Sequence, residues 1–96
     1  MTTGSYWVFS AYRCNSKGKP KKDDEYDFFV DRELHLLGYR PRIAAYLFSE
    51  RECSSQDLGT VALPKGKSLS DIVKGEKITV KENGCKPYKV EYIEKR

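Results

Sequence analysis

Ile78-Thr79-Val80-Lys81-Glu82-Asn83-Gly84-Cys85-Lys86-Pro87-Tyr88-Lys89-Val90-Glu91-Tyr92 reads as a β-hairpin. Ile78 and Val80 alternate with polar neighbours, as do Tyr88, Val90 and Tyr92, which is the period of a strand with one buried face. Asn83-Gly84 between them suits the positive backbone angles of a tight turn. A two-residue turn at Asn83-Gly84 sets Val80 opposite Pro87 and Ile78 opposite Lys89, mixing an apolar face with a polar one. A three-residue loop, Glu82-Asn83-Gly84 with Gly84 left-handed at a bulge, sets Ile78 opposite Tyr88 and Glu76 opposite Val90, so the bulged hairpin is expected.

The same punctuation continues toward the N-terminus. Ser68 to Val73 has the chemistry of a brief helix opened by Ser68 or Ser70 and stopped by Gly75. Thr60 to Leu63 is a short strand stopped by Pro64 and Gly66. Arg42 to Phe48 carries apolar residues at both parities after Pro41, the pattern of a central strand packed on two sides. In Arg32 to Gly38, Leu34, Leu36 and Leu37 fit a short helical turn, or Leu34 and Leu36 share one strand face ending at Gly38; a strand or irregular structure is expected. Tyr6 to Cys14 is aromatic and β-branched without helical spacing, a strand buried on much of both faces, and Tyr26 to Val30 is its partner. These two form a hairpin with a long tip, Asn15 to Glu25. The whole chain, residues 1–96, is one domain of mainly β structure: a small five- to six-stranded barrel, OB-like, with at most one short helix.

Net charge is +4, but it is segregated: the stretches 1–22, 23–57 and 58–96 carry +5, −5 and +4. If the two basic stretches share a face, the surface is bipolar and orients a polyanion. The longest apolar run, Ile43 to Phe48, is far short of the roughly 20 residues needed to cross a bilayer. The N-terminus shows no basic region followed by an apolar one, so a cytoplasmic protein with no membrane contact is expected. Cys14, Cys53 and Cys85 are widely spaced and odd in number, which favours reduced, separately packed thiols. With His35 they match zinc in composition but not in ligand spacing, and neither a metal nor another cofactor is expected.

Lys17-Gly18-Lys19-Pro20-Lys21-Lys22 concentrates four lysines in six residues between aromatic strands. Lysines on a loop neutralise phosphates, and neighbouring rings stack on bases of any identity. Seven of the twelve aromatic residues are tyrosines, whose hydroxyl favours a half-exposed ring. Tyr12, Tyr26, Tyr39, Tyr88 and Tyr92 stand beside charged or turn residues and are the expected stacking platforms. Lys17, Lys19, Lys21, Lys22, Arg40, Arg42 and Lys89 are the expected phosphate contacts. No nucleophile elbow, phosphate-cradling loop or paired metal ligands accompany the single histidine, so no catalytic residue is assigned.

Ser16-Lys17-Gly18-Lys19-Pro20, followed by Tyr26 to Val30, resembles a basic hairpin in the single-stranded-DNA-binding proteins of filamentous phages and related mobile elements. Those proteins are small five-stranded barrels of the OB type. Lys21 stands here where that family has a tyrosine after Gly-Lys-Pro. The resemblance implies cooperative coating of single strands by a homodimer. A metal-independent ribonuclease needs no motif, and its candidate residues here are His35, Arg40 and Arg42. Gly38-Tyr39-Arg40-Pro41-Arg42-Ile43 and Gly4-Ser5-Tyr6-Trp7-Val8 resemble stretches of the MazF-like toxins, small barrels that cleave messenger RNA, which implies that activity.

Three readings follow. The first is a non-catalytic module for single-stranded DNA or RNA, with DNA favoured. The second is a phage- or plasmid-encoded inhibitor that binds a host nucleic-acid enzyme through the acidic middle, Asp23 to Asp57, with a compact carboxylate patch of Asp23, Asp24, Glu25 and Asp27 and inward-turned tyrosines as its sign. The third is the ribonuclease.

Overall fold

The computed structural model describes residues 6–43 and 58–96. They form a closed antiparallel barrel of six strands: β1 (Tyr6–Cys14), β2 (Pro20–Asp31), β3 (His35–Pro41), β4 (Gly59–Ala62), β5 (Lys77–Glu82) and β6 (Tyr88–Lys95). Each strand pairs with the next in sequence, and β6 closes on β1. The expected small barrel is therefore present. Its sequential strand order differs from the Greek-key connection of an OB barrel.

Period-two alternation explains the core. Phe9 and Ala11 of β1, Phe28 and Val30 of β2, Leu36 of β3, Val61 of β4, Ile78 and Val80 of β5, and Val90 and Tyr92 of β6 all turn inward. Phe9 stacks on Phe28 with ring centroids 5.4 Å apart. Burying each such side chain contributes about 1.5–3 kcal/mol. The expectation that β1 is buried on both faces also holds, because Val8 and Ser10 on the outer face are nearly inaccessible. Beside them, outer-face Phe29 is covered by the Tyr6 ring at 6.0 Å and the Arg40 guanidinium at 5.4 Å.

The first hairpin has a shorter tip than Asn15 to Glu25. β2 begins at Pro20, and the tip is Asn15 to Lys19. Asn15 closes it: the side-chain Oδ1 accepts from the backbone N–H of Lys17 (2.8 Å) and Lys19 (3.1 Å), while Asn15 N–H donates to the Lys19 carbonyl at 2.8 Å. Pro20 is tolerated because the first residue of a strand can do without an N–H donor. The excess length goes into a bulge, since Tyr12 faces Glu25 but Cys14 faces Pro20. Lys21 and Lys22 thus lie on strand, not loop.

The β5–β6 register is also corrected. Ile78 faces Val90 and Val80 faces Tyr88, two positions beyond the expected pairing of Ile78 with Tyr88. The Cys85 N–H bonds to the Glu82 carbonyl at 3.0 Å, making a turn with Gly84 at φ +80°. Lys86 and Pro87 then lengthen the loop, and Pro87 has no N–H to offer the ladder. A shift of two preserves the inward face, so the apolar pattern is satisfied in either register.

Gly59 to Ala62 and Leu69 to Asp71 fall where a strand and a brief helix were expected, the latter as a single 3-10 turn whose Asp71 carboxylate accepts from Ser68 N–H and Oγ–H. Of the expected central strand Arg42 to Phe48, Arg42 and Ile43 follow the end of β3, and 44–48 lie outside the described residues. No helix among the described residues is long and apolar enough to cross a membrane.

Candidate nucleic-acid interface

At one end of the barrel the tip of the first hairpin faces the β5–β6 loop across a cleft of about 530 Å³, lined by Cys14, Asn15, Ser16, Lys17 and Gly18 on one wall and Pro87, Tyr88 and Lys89 on the other. No carboxylate of the described residues lines it. The Lys17 and Lys19 ammonium groups have no partner among the described residues, because the turn is built from backbone and Asn15 alone. Lys89 reaches Thr79 Oγ1 at 2.9 Å, a neutral partner that leaves its charge uncompensated. Burial raises the Cys14 pKa above its ordinary value, so its thiol is protonated at neutral pH.

Tyr26, Tyr39 and Tyr88 converge at the same end. Arg13, at the end of β1 on the inward parity, lays its guanidinium 4.5 Å from the Tyr88 centroid and 5.6 Å from that of Tyr26. Glu82 accepts from both Tyr39 Oη (3.1 Å) and Tyr88 Oη (2.9 Å), and Tyr26 meets Tyr39 edge to face at 5.9 Å. Burial, then the Glu82 carboxylate, raises both the Tyr39 and Tyr88 pKa values. Both phenols are therefore neutral donors. Tyr39 keeps 41 % of its surface exposed and is the most open of the three rings, whereas Tyr88 is half-buried and has Arg13 on one face.

The other expected site residues lie elsewhere. Tyr92 is 7 % exposed and packed on Phe9 at 5.9 Å, so its ring is not available for stacking. Tyr12 is half-buried on the outer face beneath the Lys22 ammonium, 4.9 Å from its centroid. Lys21 pairs with Asp24 at 3.3 Å. Arg40 and Arg42 bind the Asp27 carboxylate at 3.2 and 3.1 Å.

That carboxylate is the centre of a charge network on the outer face. Asp27 is fully buried and accepts from Ser10 Oγ at 2.6 Å as well as from the two arginines. The Arg96 guanidinium joins β6 to the same group, donating to Ser10 Oγ and pairing with Glu25 at 3.0 Å and Glu94 at 3.0 Å. Within the described part of the acidic middle, Asp24, Glu25 and Asp27 each have a cationic partner.

His35 begins β3, where its Nδ1 lies 3.0 Å from Asp31. Arg40 is five residues along the same strand, about 16 Å away at roughly 3.3 Å per residue. The three residues expected of a ribonuclease do not converge. Asp31, Glu33 and His35 bring potential ligand atoms close together, but Asp31 Oδ1 already accepts from the Glu33 and His35 backbone. Cys14 and Cys85 are free thiols, half-buried and exposed, and belong to no cluster of metal-ligand type among the described residues. Cys53 lies outside those residues.

Arg13, Asn15 and Glu82 were missed at the sequence level. Arg13 carried a legible sign, since it shares parity with Phe9 and Ala11 and so brings a charge to the inward face. Glu82 carried none, because its two partners come from β3 and β6. Compared with protein families, curated proteins and solved structures, the chain finds no significant match.

Proposed function

We propose that this chain is a non-catalytic binding module for single-stranded nucleic acid. The observation that carries the reading is the cleft between the Asn15 to Lys19 tip and the β5–β6 loop, cationic on both walls and free of carboxylates among the described residues, near the exposed Tyr39 ring. Lys17 and Lys89 are positioned for phosphates, with Lys19 and Lys86 in the same two loops, and Tyr39 supplies a stacking face. Sequence-tolerant stacking joined to phosphate contacts is the chemistry of single-strand recognition. Against the inhibitor reading stands the internal pairing of Asp24, Glu25 and Asp27, and against the ribonuclease the separation of His35 from Arg40.

Fluorescence anisotropy with single-stranded and duplex oligonucleotides tests this. Four lysine contacts predict a slope of log affinity against log salt near −3, since each contributes about −0.7. Lys17→Ala with Lys89→Ala should flatten that slope by about half and weaken all sequences alike. Tyr39→Ala should cost about 1–3 kcal/mol with the slope unchanged. A salt-independent signal, or equal retention of duplex and single strand, counts against the proposal.

A further inference from the structure

The opposite end of the barrel holds a second cavity, of about 360 Å³, that the nucleic-acid reading does not use. Its apolar wall is Trp7 at the start of β1, Leu34 in the β2–β3 turn, Leu63 after β4 and Leu69 in the 3-10 turn, all packed against the core cluster. The volume is at the small end of the range for ligand pockets. The Lys95 ammonium sits 3.9 Å from the Trp7 centroid and holds the indole in place.

Leu34 has a backbone φ of +66°, a left-handed conformation that a leucine adopts only at a cost. Non-glycine residues held this way cluster at ligand clamps and active sites. Here the turn is over-determined by Asp31, whose carbonyl and carboxylate together accept from the backbone of Glu33, Leu34 and His35. The strained residue is part of the cavity wall.

The rim sets the ligand's charge. Arg32 is exposed and has no partner among the described residues, and Lys67 lies beside it in the cavity lining. Lys67 is paired with Glu76 at 2.8 Å, which leaves Arg32 as the uncompensated cation of the described lining, with Lys95 outside it over the Trp7 ring. Ser68 and Ser70 add hydroxyls 2.9 Å apart. No carboxylate of the described residues lines the cavity, and that of Asp71 is held by Ser68.

We infer that this cavity binds a small amphipathic anion: a compact apolar body against Trp7 and the three leucines, with one carboxylate or phosphate at Arg32. The site is independent of the oligonucleotide cleft.

Trp7 is the only tryptophan, so its emission reports occupancy directly. Titration with 3-phenylpropionate should give a saturable change with Kd of about 1 mM or below. The uncharged 3-phenylpropanamide should bind about two- to fivefold more weakly, the factor expected for one exposed ionic contact. Arg32→Gln, a surface change that leaves the barrel intact, should remove the preference for acid over amide while the amide's affinity stays constant. Phosphate in place of carboxylate on the same body should bind comparably. A linear, non-saturating signal, equal affinity for acid and amide in the native chain, or an unchanged preference in Arg32→Gln overturns the inference.

Discussion

Asp27→Asn is expected to destabilise the barrel by about 3 kcal/mol, the lower part of the range for removing one partner of a buried ion pair. The Asp27 side chain is wholly inaccessible: Oδ2 accepts from Arg40 and Arg42, and Oδ1 accepts from Ser10 with Arg96 Nε 3.6 Å away. Asparagine keeps the shape but removes the charge that three guanidinium groups share. Those groups retain 15–35 % exposure, so water offsets part of the loss and the lower figure applies. Urea unfolding monitored by Trp7 emission measures it. A change below about 1 kcal/mol would mean that the arginines find equal partners in Glu25 and Glu94.

The same carboxylate sets the acid limit. Burial alone would raise the Asp27 pKa, but the hydrogen bonds from Ser10, Arg42 and Arg40 outweigh it and hold the group below its ordinary value of 3.8. A depressed native pKa means that the stabilisation is complete above the unfolded value and is lost as pH falls through the native one. Stability of the native chain should therefore fall steeply below about pH 4, and Asp27→Asn should flatten that part of the profile. Asp31 contributes in the same direction: burial opposes ionisation, but the backbone and side-chain bonds from His35 lower its pKa. The variant's profile should keep a residual acid slope for that reason.

Gly59→Ala is the second large effect, a loss of roughly 3 kcal/mol, at the upper end of ordinary overpacking. A Cβ at Gly59 would stand 2.1 Å from the Lys81 carbonyl oxygen and 2.8 Å from the Glu82 Cα. Both are backbone atoms of β5, so no rotamer change relieves the contact and the β4–β5 ladder must open. Gly84→Ala is the control. It also has positive φ, but a Cβ there meets nothing within 4 Å. The cost should be about 1–2 kcal/mol, that of the left-handed backbone alone. Equal thermal shifts in the two variants would show that close approach at Gly59 is not what the glycine provides.

The strands were legible because they depend on short-range facts. Alternation in Ile78 to Tyr92, the aromatic content of Tyr6 to Cys14 and the glycine and proline stops are local, and the structure follows them. The length of the first hairpin tip was misread because Lys21 to Asp24 looks like loop by composition. Asn15 closes the tip early, and closure by a side-chain carbonyl is a geometric event that composition does not show. The β5–β6 register was misjudged by two residues because both pairings bury the same face, so the pattern could not choose between them.

Site residues divide in the same way. Lys17 and Tyr39 were identifiable from residue type and neighbours, and they remain at the candidate interface. Tyr92 was judged by its neighbours Glu91 and Ile93, but its parity with Val90 sends it inward. Arg40 and Arg42 were judged as free cations, although the carboxylate that holds them is on the adjacent strand.

The sequence by itself determined a small β barrel, its inward residues on most strands and the presence of a cationic hairpin, since each follows from alternation or turn chemistry within about ten residues. Tertiary structure alone decided which charges remain available. Closing β6 onto β1 brings Arg96 to Ser10 and Glu25, 86 and 71 positions away in sequence, and the pairing of β2 with β3 consumes Arg40 on Asp27. A charge is free or spent according to what the ladder sets beside it, and the ladder's long-range partners are chosen by how the barrel closes.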